Sequence, residues 1–261
     1  MNEISVALFI NSLLGLKILN HLHSEPNIKI KFIAINDKVK LGKKFLQNLN
    51  ETLLSLGLEI QIIENYELNS KNIPDFDFGI SAMFGHVIDE SIIRKAKVDF
   101  INLHPSLLPI GRGANPISWS IIENRPQGAT IHQLISELDA GDIYLQKEVN
   151  FGLDANAGII YASLNELLFE MFLVFFQDWI NGKIEPRSQS VDNLSFHRVI
   201  DLEAIKQTNA REQLTAEQFV RRIQALTFDN GNTAIFQDST GINWEITLSL
   251  QVQNNSLEVK E

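Results

Sequence analysis

The chain has 261 residues, 44% of them apolar, and 22 Lys and Arg against 32 Asp and Glu give a formal net charge of -10. That length suits one large domain with a smaller appendage, and the acidic balance argues against nucleic acid or an anionic membrane surface as the main partner. Without cysteine there is no disulfide, thiolate metal site or cysteine nucleophile; no metal site is expected, and the composition fits a cytoplasmic protein.

The N-terminus lacks a basic segment before its apolar run and a small-residue cleavage pattern, so it reads as structure rather than as a signal. Ile4–Ile10 reads as a strand, followed by a helix-period run over 13–21 that Asn11 or Ser12 could cap. Amides at such a helix start, with Ser12, could hold a phosphate, although no G-x-G-x-x-G or Walker A pattern accompanies them. A branched apolar strand over 28–36 and an amphipathic helix over 42–56 follow. The basic cluster Lys38, Lys40, Lys43 and Lys44 reads as a solvated helix face before it reads as a phosphate contact.

Short strands are expected over 60–63 and 78–83, a helix over 92–97 and a strand over 98–103. Strands alternating with helices at this spacing predict an α/β fold with a doubly wound, mostly parallel sheet. Residues 128–134 and Ile143–Val149 read as two more strands with no helical crossover between them, hence antiparallel. The run 164–180 is interrupted by Asn165, Glu166, Glu170, Gln177 and Asp178, so it is expected to be a largely buried helix rather than a membrane span. We divide the chain into a domain over 1–185 and a small α+β appendage over 186–261, with a helix at Ala216–Leu226 and short strands over 233–236 and 244–251.

The stretch 101–144 concentrates the chemistry. Asn102 and His104 alternate on one face at a strand's carboxyl end, where open α/β sheets place ligands. A histidine titrates near neutrality, a carboxylate such as Asp139 would orient it, and an asparagine amide could stabilise an oxyanion. With no G-x-S-x-G elbow, direct attack by an external nucleophile suits this set better than a covalent intermediate. Read one by one, the same residues could equally satisfy loop backbone groups.

The spaced blocks Asn102-x-His104-Pro105-Ser106-Leu107-Leu108-Pro109, Gly111-Arg112-Gly113 with Pro116, Gly128-x-Thr130-x-His132, and Leu138-Asp139-x-Gly141-Asp142 resemble the formyltransferases that use N10-formyltetrahydrofolate. The resemblance covers about residues 1 to 180. It implies that Asn102, His104 and Asp139 are catalytic, and that Phe84, Gly85, His86 and Val87 cradle the pterin of the folate. It leaves the proton path between amine, His104, Asp139 and the folate nitrogen open. His132 is a substrate contact or packing for the Asp139 loop, Ser81 a substrate hydrogen-bond partner or a turn residue, and Arg112 a phosphate contact or a loop brace.

The segments 111–123 and 223–236 look like the sugar N-formyltransferases that act on dTDP-linked amino-dideoxy sugars. That likeness implies dTDP-4-amino-4,6-dideoxyglucose as acceptor, the 3-amino isomer next, for O-antigen synthesis in lipopolysaccharide. The roughly 75 residues of the appendage and the acidic charge disfavour a tRNA acceptor, and glycinamide ribonucleotide would leave the appendage unexplained. The appendage is expected to form a homodimer interface or a small core of its own. A non-catalytic folate-binding module is the rival reading, against which three intact polar residues argue.

Overall fold

The computed structural model describes residues 3–39, 41–190, 192–228 and 233–251; Lys40 of the basic cluster and 229–232 of the segment 223–236 lie outside the described residues. The chain runs β1 (Ile4–Ile10), α1 (Leu13–Ser24), β2 (Ile28–Ile35), α2 (Lys43–Leu56), β3 (Gln61–Glu64), β4 (Phe76–Ala82), α3 (Glu90–Ile93) and β5 (Ala96–His104). It continues through β6 (Arg112–Gly113), α4 (Pro116–Ile122), β7 (Gln127–Gln133), β8 (Ile143–Val149) and α5 (Ala157–Ile180). The appendage supplies β9 (Phe196–His197), α6 (Val199–Glu203), β10 (Gln207–Asn209), α7 (Ala216–Leu226), β11 (Ala234–Gln237) and β12 (Asn243–Ile246).

Seven strands form the central sheet in the order β3-β2-β1-β4-β5-β7-β8. The first five are parallel, and β7 and β8 join antiparallel. The strands are continuous apolar runs because both faces are covered. In β1, Val6, Leu8 and Ile10 point into the larger core with α1 and α5, whereas Ala7 and Phe9 point into a second core with Phe32, Phe76 and Phe100. Strand order turns in opposite directions from β1 and β4, and this is the switch point at which such sheets open a crevice.

Several boundaries differ from expectation: the strand expected over 244–251 is the shorter Asn243–Ile246, and two helices change as well. The predicted helix over 92–97 is one turn, Glu90–Ile93, capped by Asp89 through the Ser91 amide at 2.8 Å, and the following strand begins at Ala96. Pairing with β4 captures these residues, since Phe76 lies opposite Ala96 and strand pairing outweighs weak local helix preference. Helix α5 starts at Ala157, seven residues before the expected 164, with the Asn156 side chain accepting from Ile159 N. By length and composition it could cross a membrane. Its Leu164, Leu168, Phe172 and Phe176 are instead buried in the core, while Val174 on the opposite side is 79% exposed.

The appendage packs against the large unit. Ser118 in α4 donates to Ala225 O in α7 at 2.7 Å, Gly158 N donates to Thr227 O at 3.1 Å, and β9 pairs parallel with β6. Its own small core gathers Ile223, Leu226 and Ala234, with Phe219 and Ile246 against them. Of the basic cluster, Lys43 and Lys44 are exposed and Lys38 pairs with Glu64 at 3.1 Å.

Candidate active site

Sheet register assembles the site. Ser81 in β4 lies opposite Asn102 in β5, and Asn102 lies opposite His132 in β7, so three polar side chains form one row across three strands. His104 follows two residues after Asn102 and therefore faces the same way. The row opens into a cavity of about 510 Å³ that Asn102, His104, His132, Asp139, Ser81 and all four residues of the 84–87 loop line. Asn11 ties the neighbouring strand ends together, accepting from Asn36 N at 2.8 Å and donating to Met83 O at 3.4 Å. Phe84 anchors the loop by an edge contact with Phe9, ring centroids 5.6 Å apart.

Hydrogen bonds fix the proton positions on both histidines. The Gln133 carbonyl accepts from His132 Nδ1 at 2.7 Å, which leaves His132 Nε2 as an acceptor for the Asn102 amide at 3.2 Å. Burial, then the neighbouring His104, depresses the His132 pKa from 6.5 to about 4, so this imidazole is neutral and orients Asn102 with one amide hydrogen left for the cavity. The Gly111 carbonyl accepts from His104 Nε2 at 2.9 Å. That bond leaves His104 Nδ1 with its lone pair, 3.8 Å from Asp139 Oδ1. Asp139 Oδ2 accepts from Gly113 N at 2.8 Å, and both His104 and Asp139 are buried. A base, a carboxylate beside its free nitrogen and an amide donor thus converge on one space, a set suited to acyl transfer to an external nucleophile.

The depressed His132 pKa sets a pH dependence. Between pH 6.5 and about 4 the unfolded chain binds a proton at this position and the folded chain does not. Stability therefore falls as pH drops through that window, by about 3 kcal/mol in the limit, and the loss levels off below it. Urea unfolding across the window should show this slope in the wild type and a shallower one in His132→Gln; equal slopes would refute it.

Not every expected site residue reaches the cavity. Arg112 and Ser12 are not among the residues lining it. The buried Arg112 guanidinium donates to Gln189 Oε1 at 3.2 and 2.8 Å and to Glu137 Oε1 at 3.4 Å, contacts that suit the loop-brace reading. Ser12 occupies the N-cap position of α1 in extended backbone without a side-chain cap bond. Among the described residues, no group of three or more His, Asp or Glu side chains is placed to hold a metal ion.

Sequence reading misses Tyr161, Val199 and Phe228, which also line the cavity. Tyr161 escapes it because the expected start of α5 lies three residues further on; burial raises its phenol pKa, so that it stays a hydrogen-bond donor. Val199 and Phe228 come from the appendage, where no local pattern signals a cavity wall.

Residues 68–173 match the family model described as "Formyl transferase". A methionyl-tRNA formyltransferase of Mycoplasma mycoides subsp. mycoides is 29% identical over 212 residues, which are 78% of this chain and 67% of that relative. Among solved structures, a 4-N formyltransferase from Francisella tularensis superposes with a TM-score of 0.81 at 21% identity, covering 96% of this chain and 99% of that one. WlaRD, a sugar 3N-formyl transferase solved in the presence of dTDP and 5-N-formyl-THF, gives a TM-score of 0.70 at 19% identity over 90% of this chain and 85% of its own. Residues 68–173 thus resemble a formyl transferase domain, and on this fold an asparagine, a histidine and an aspartate converge on one cavity.

Proposed function

We propose that the protein transfers the formyl group of N10-formyltetrahydrofolate to the amine of a dTDP-linked amino-dideoxy sugar. The preferred acceptor is dTDP-4-amino-4,6-dideoxyglucose, the 3-amino isomer is the next candidate, and the product class serves O-antigen synthesis. The observation that carries this reading is the convergence of Asn102, His104 and Asp139 in one cavity with the 84–87 loop. A flat heterocycle fits that loop: Gly85 is exposed without a side chain, a Cβ there would meet Asn36 Nδ2 at 3.0 Å, and Phe84, Ile88 and Leu134 supply apolar walls.

In this mechanism the neutral amine attacks the formyl carbon, a C–N bond forms, and the carbonyl oxygen takes up negative charge. The free amide hydrogen of Asn102 stabilises that oxyanion. His104 Nδ1 accepts the amine proton, and the imidazolium so formed faces Asp139. Collapse of the intermediate breaks the bond to the folate nitrogen, which receives the proton. Ser81 and His132 hold the row in place from either side of Asn102.

Two features favour a nucleotide sugar over tRNA. The net charge is -10, and among the described residues none that lines the cavity is Lys or Arg, so this wall offers no cation to a nucleic-acid backbone. The likeness to the Francisella 4-N formyltransferase also runs through the appendage, covering 96% of this chain. A sugar diphosphate would accordingly lie at the cavity mouth rather than inside it. In this reading residues 1–185 carry the reaction, and the appendage from 186 closes the acceptor side and carries the dimer contact. Within it β12 is an edge strand whose Trp244 is 54% exposed, as is Ile242 just before it.

Incubation with N10-formyltetrahydrofolate and a panel of dTDP-amino sugars, glycinamide ribonucleotide and methionyl-tRNA, following tetrahydrofolate release, tests class and acceptor together. Turnover is expected with a dTDP-amino sugar, and Asn102→Ala should lower it by about 10²- to 10³-fold; turnover with methionyl-tRNA alone would reverse the acceptor assignment. Sedimentation at micromolar concentration should give a dimer that Trp244→Lys dissociates, and a wild-type monomer would remove the dimer contact from the proposal.

A further inference from the structure

The carboxylate of Asp139 stands on a backbone that needs holding. Asp139 has φ 52, a left-handed conformation that non-glycine residues disfavour. Its Oδ1 lies 3.8 Å from His104 Nδ1, so a small drift of the turn would take it out of reach. The side chain that grips this turn comes from the appendage. Gln189 Nε2 donates to Asp139 O at 2.9 Å and to Gly141 O at 2.7 Å, while its Oε1 accepts from two nitrogens of the Arg112 guanidinium.

Every hydrogen-bonding position of that amide is therefore used, in one orientation. A guanidinium is donor-only and a backbone carbonyl is acceptor-only, so flipping the amide would oppose like groups on both sides. The chain around Gln189 is itself anchored on the large unit. Arg187 exchanges backbone bonds with Ile143 at 2.7 and 2.8 Å, and Ser195 Oγ accepts from Gly111 N at 2.7 Å. Gly111 is the residue whose carbonyl holds His104, and Gly113, whose amide holds Asp139, pairs with His197. This strap thus touches the supports of both catalytic side chains.

We infer that Gln189 is a positioning residue, which sets the Asp139 turn through its two donated bonds and thereby places the carboxylate beside His104 Nδ1. The kinetic consequence rests on the formyl-transfer reading. The geometry does not.

Gln189→Glu separates the two halves of the amide, since a carboxylate still accepts from Arg112 but has no hydrogen for the Asp139 and Gly141 carbonyls. We expect kcat to fall about tenfold or more, with KM for donor and acceptor within about twofold of wild type. We also expect the Gly113 amide, which donates to Asp139, to exchange with deuterium about tenfold faster. The Gly111 amide, which donates to Ser195, should keep its protection. A Gln189→Glu variant with kcat within about twofold of wild type, or with unchanged Gly113 exchange, would overturn the inference. Should that variant fail to fold, Gln189→Met keeps the stem without its bonds and is read by the same two measurements. If the wild type formylates no amine, the formyl-transfer reading fails by itself and the Gly113 exchange rate alone decides the positioning role.

Discussion

Replacing His104 with asparagine is expected to lower kcat by about 10²- to 10⁴-fold, the range spanned by a positioned general acid-base group. The shorter amide side chain of His104→Asn ends where Nδ1 now stands, so it has no basic nitrogen there and does not reach the position from which Nε2 donates to the Gly111 carbonyl. Asp139→Asn should fall in the same range. It preserves an oxygen for the Gly113 amide, but it removes the negative charge 3.8 Å from His104 and 3.8 Å from His132. The two effects should not add, because both residues act on one proton, so the double variant is expected near the worse single one. Binding of the nucleotide sugar, measured calorimetrically, should persist in all three. Near wild-type kcat in either single variant would remove that residue from the mechanism.

The second large effect is expected at a glycine. A Cβ on Gly141 would overlap the Gln133 carbonyl oxygen and sit 2.7 Å from the Gln133 carbonyl carbon, both main-chain atoms that no rotamer change can move. That same carbonyl receives the His132 Nδ1 hydrogen, and Gly141 is two residues from Asp139. Gly141→Ala should therefore destabilise the fold by about 1 to 3 kcal/mol, read as a lower urea midpoint, and reduce kcat by about 10²-fold through misplacement of the Asp139 turn. Gly42→Ala is the matched control, since nothing lies within 4 Å of its added carbon. If Gly141→Ala behaves like Gly42→Ala, the close contact does not position the turn.

These effects differ in how far the sequence foretells them. Strand periodicity locates β1 and β8 to the residue, and a helix-period pattern does the same for α7. Those segments carry their burial pattern locally. The start of α5 and the extent of α3 depart from the periodic pattern because strand pairing and a side-chain cap, rather than composition, decide where those helices stop or begin. Arg112 is legible as a phosphate contact or a loop brace, and the sequence does not choose between them because Gln189 lies 77 positions further along the chain.

The sequence by itself singled out the candidate site: three polar residues at a strand end and in a following turn, no thiol, and motif blocks that resemble a formyl-transferring family. It determined the sheet class as well, since apolar strands alternating with helices have few other ways to bury both faces. Tertiary structure alone decided which nitrogen of each histidine is free, because that follows from carbonyls at Gly111 and Gln133 that only folding brings within reach. It also decided that the appendage supplies part of the cavity wall through Val199 and Phe228 and grips the Asp139 turn through Gln189. Contacts between residues so far apart in the chain depend on packing, and no local pattern of residue types records them.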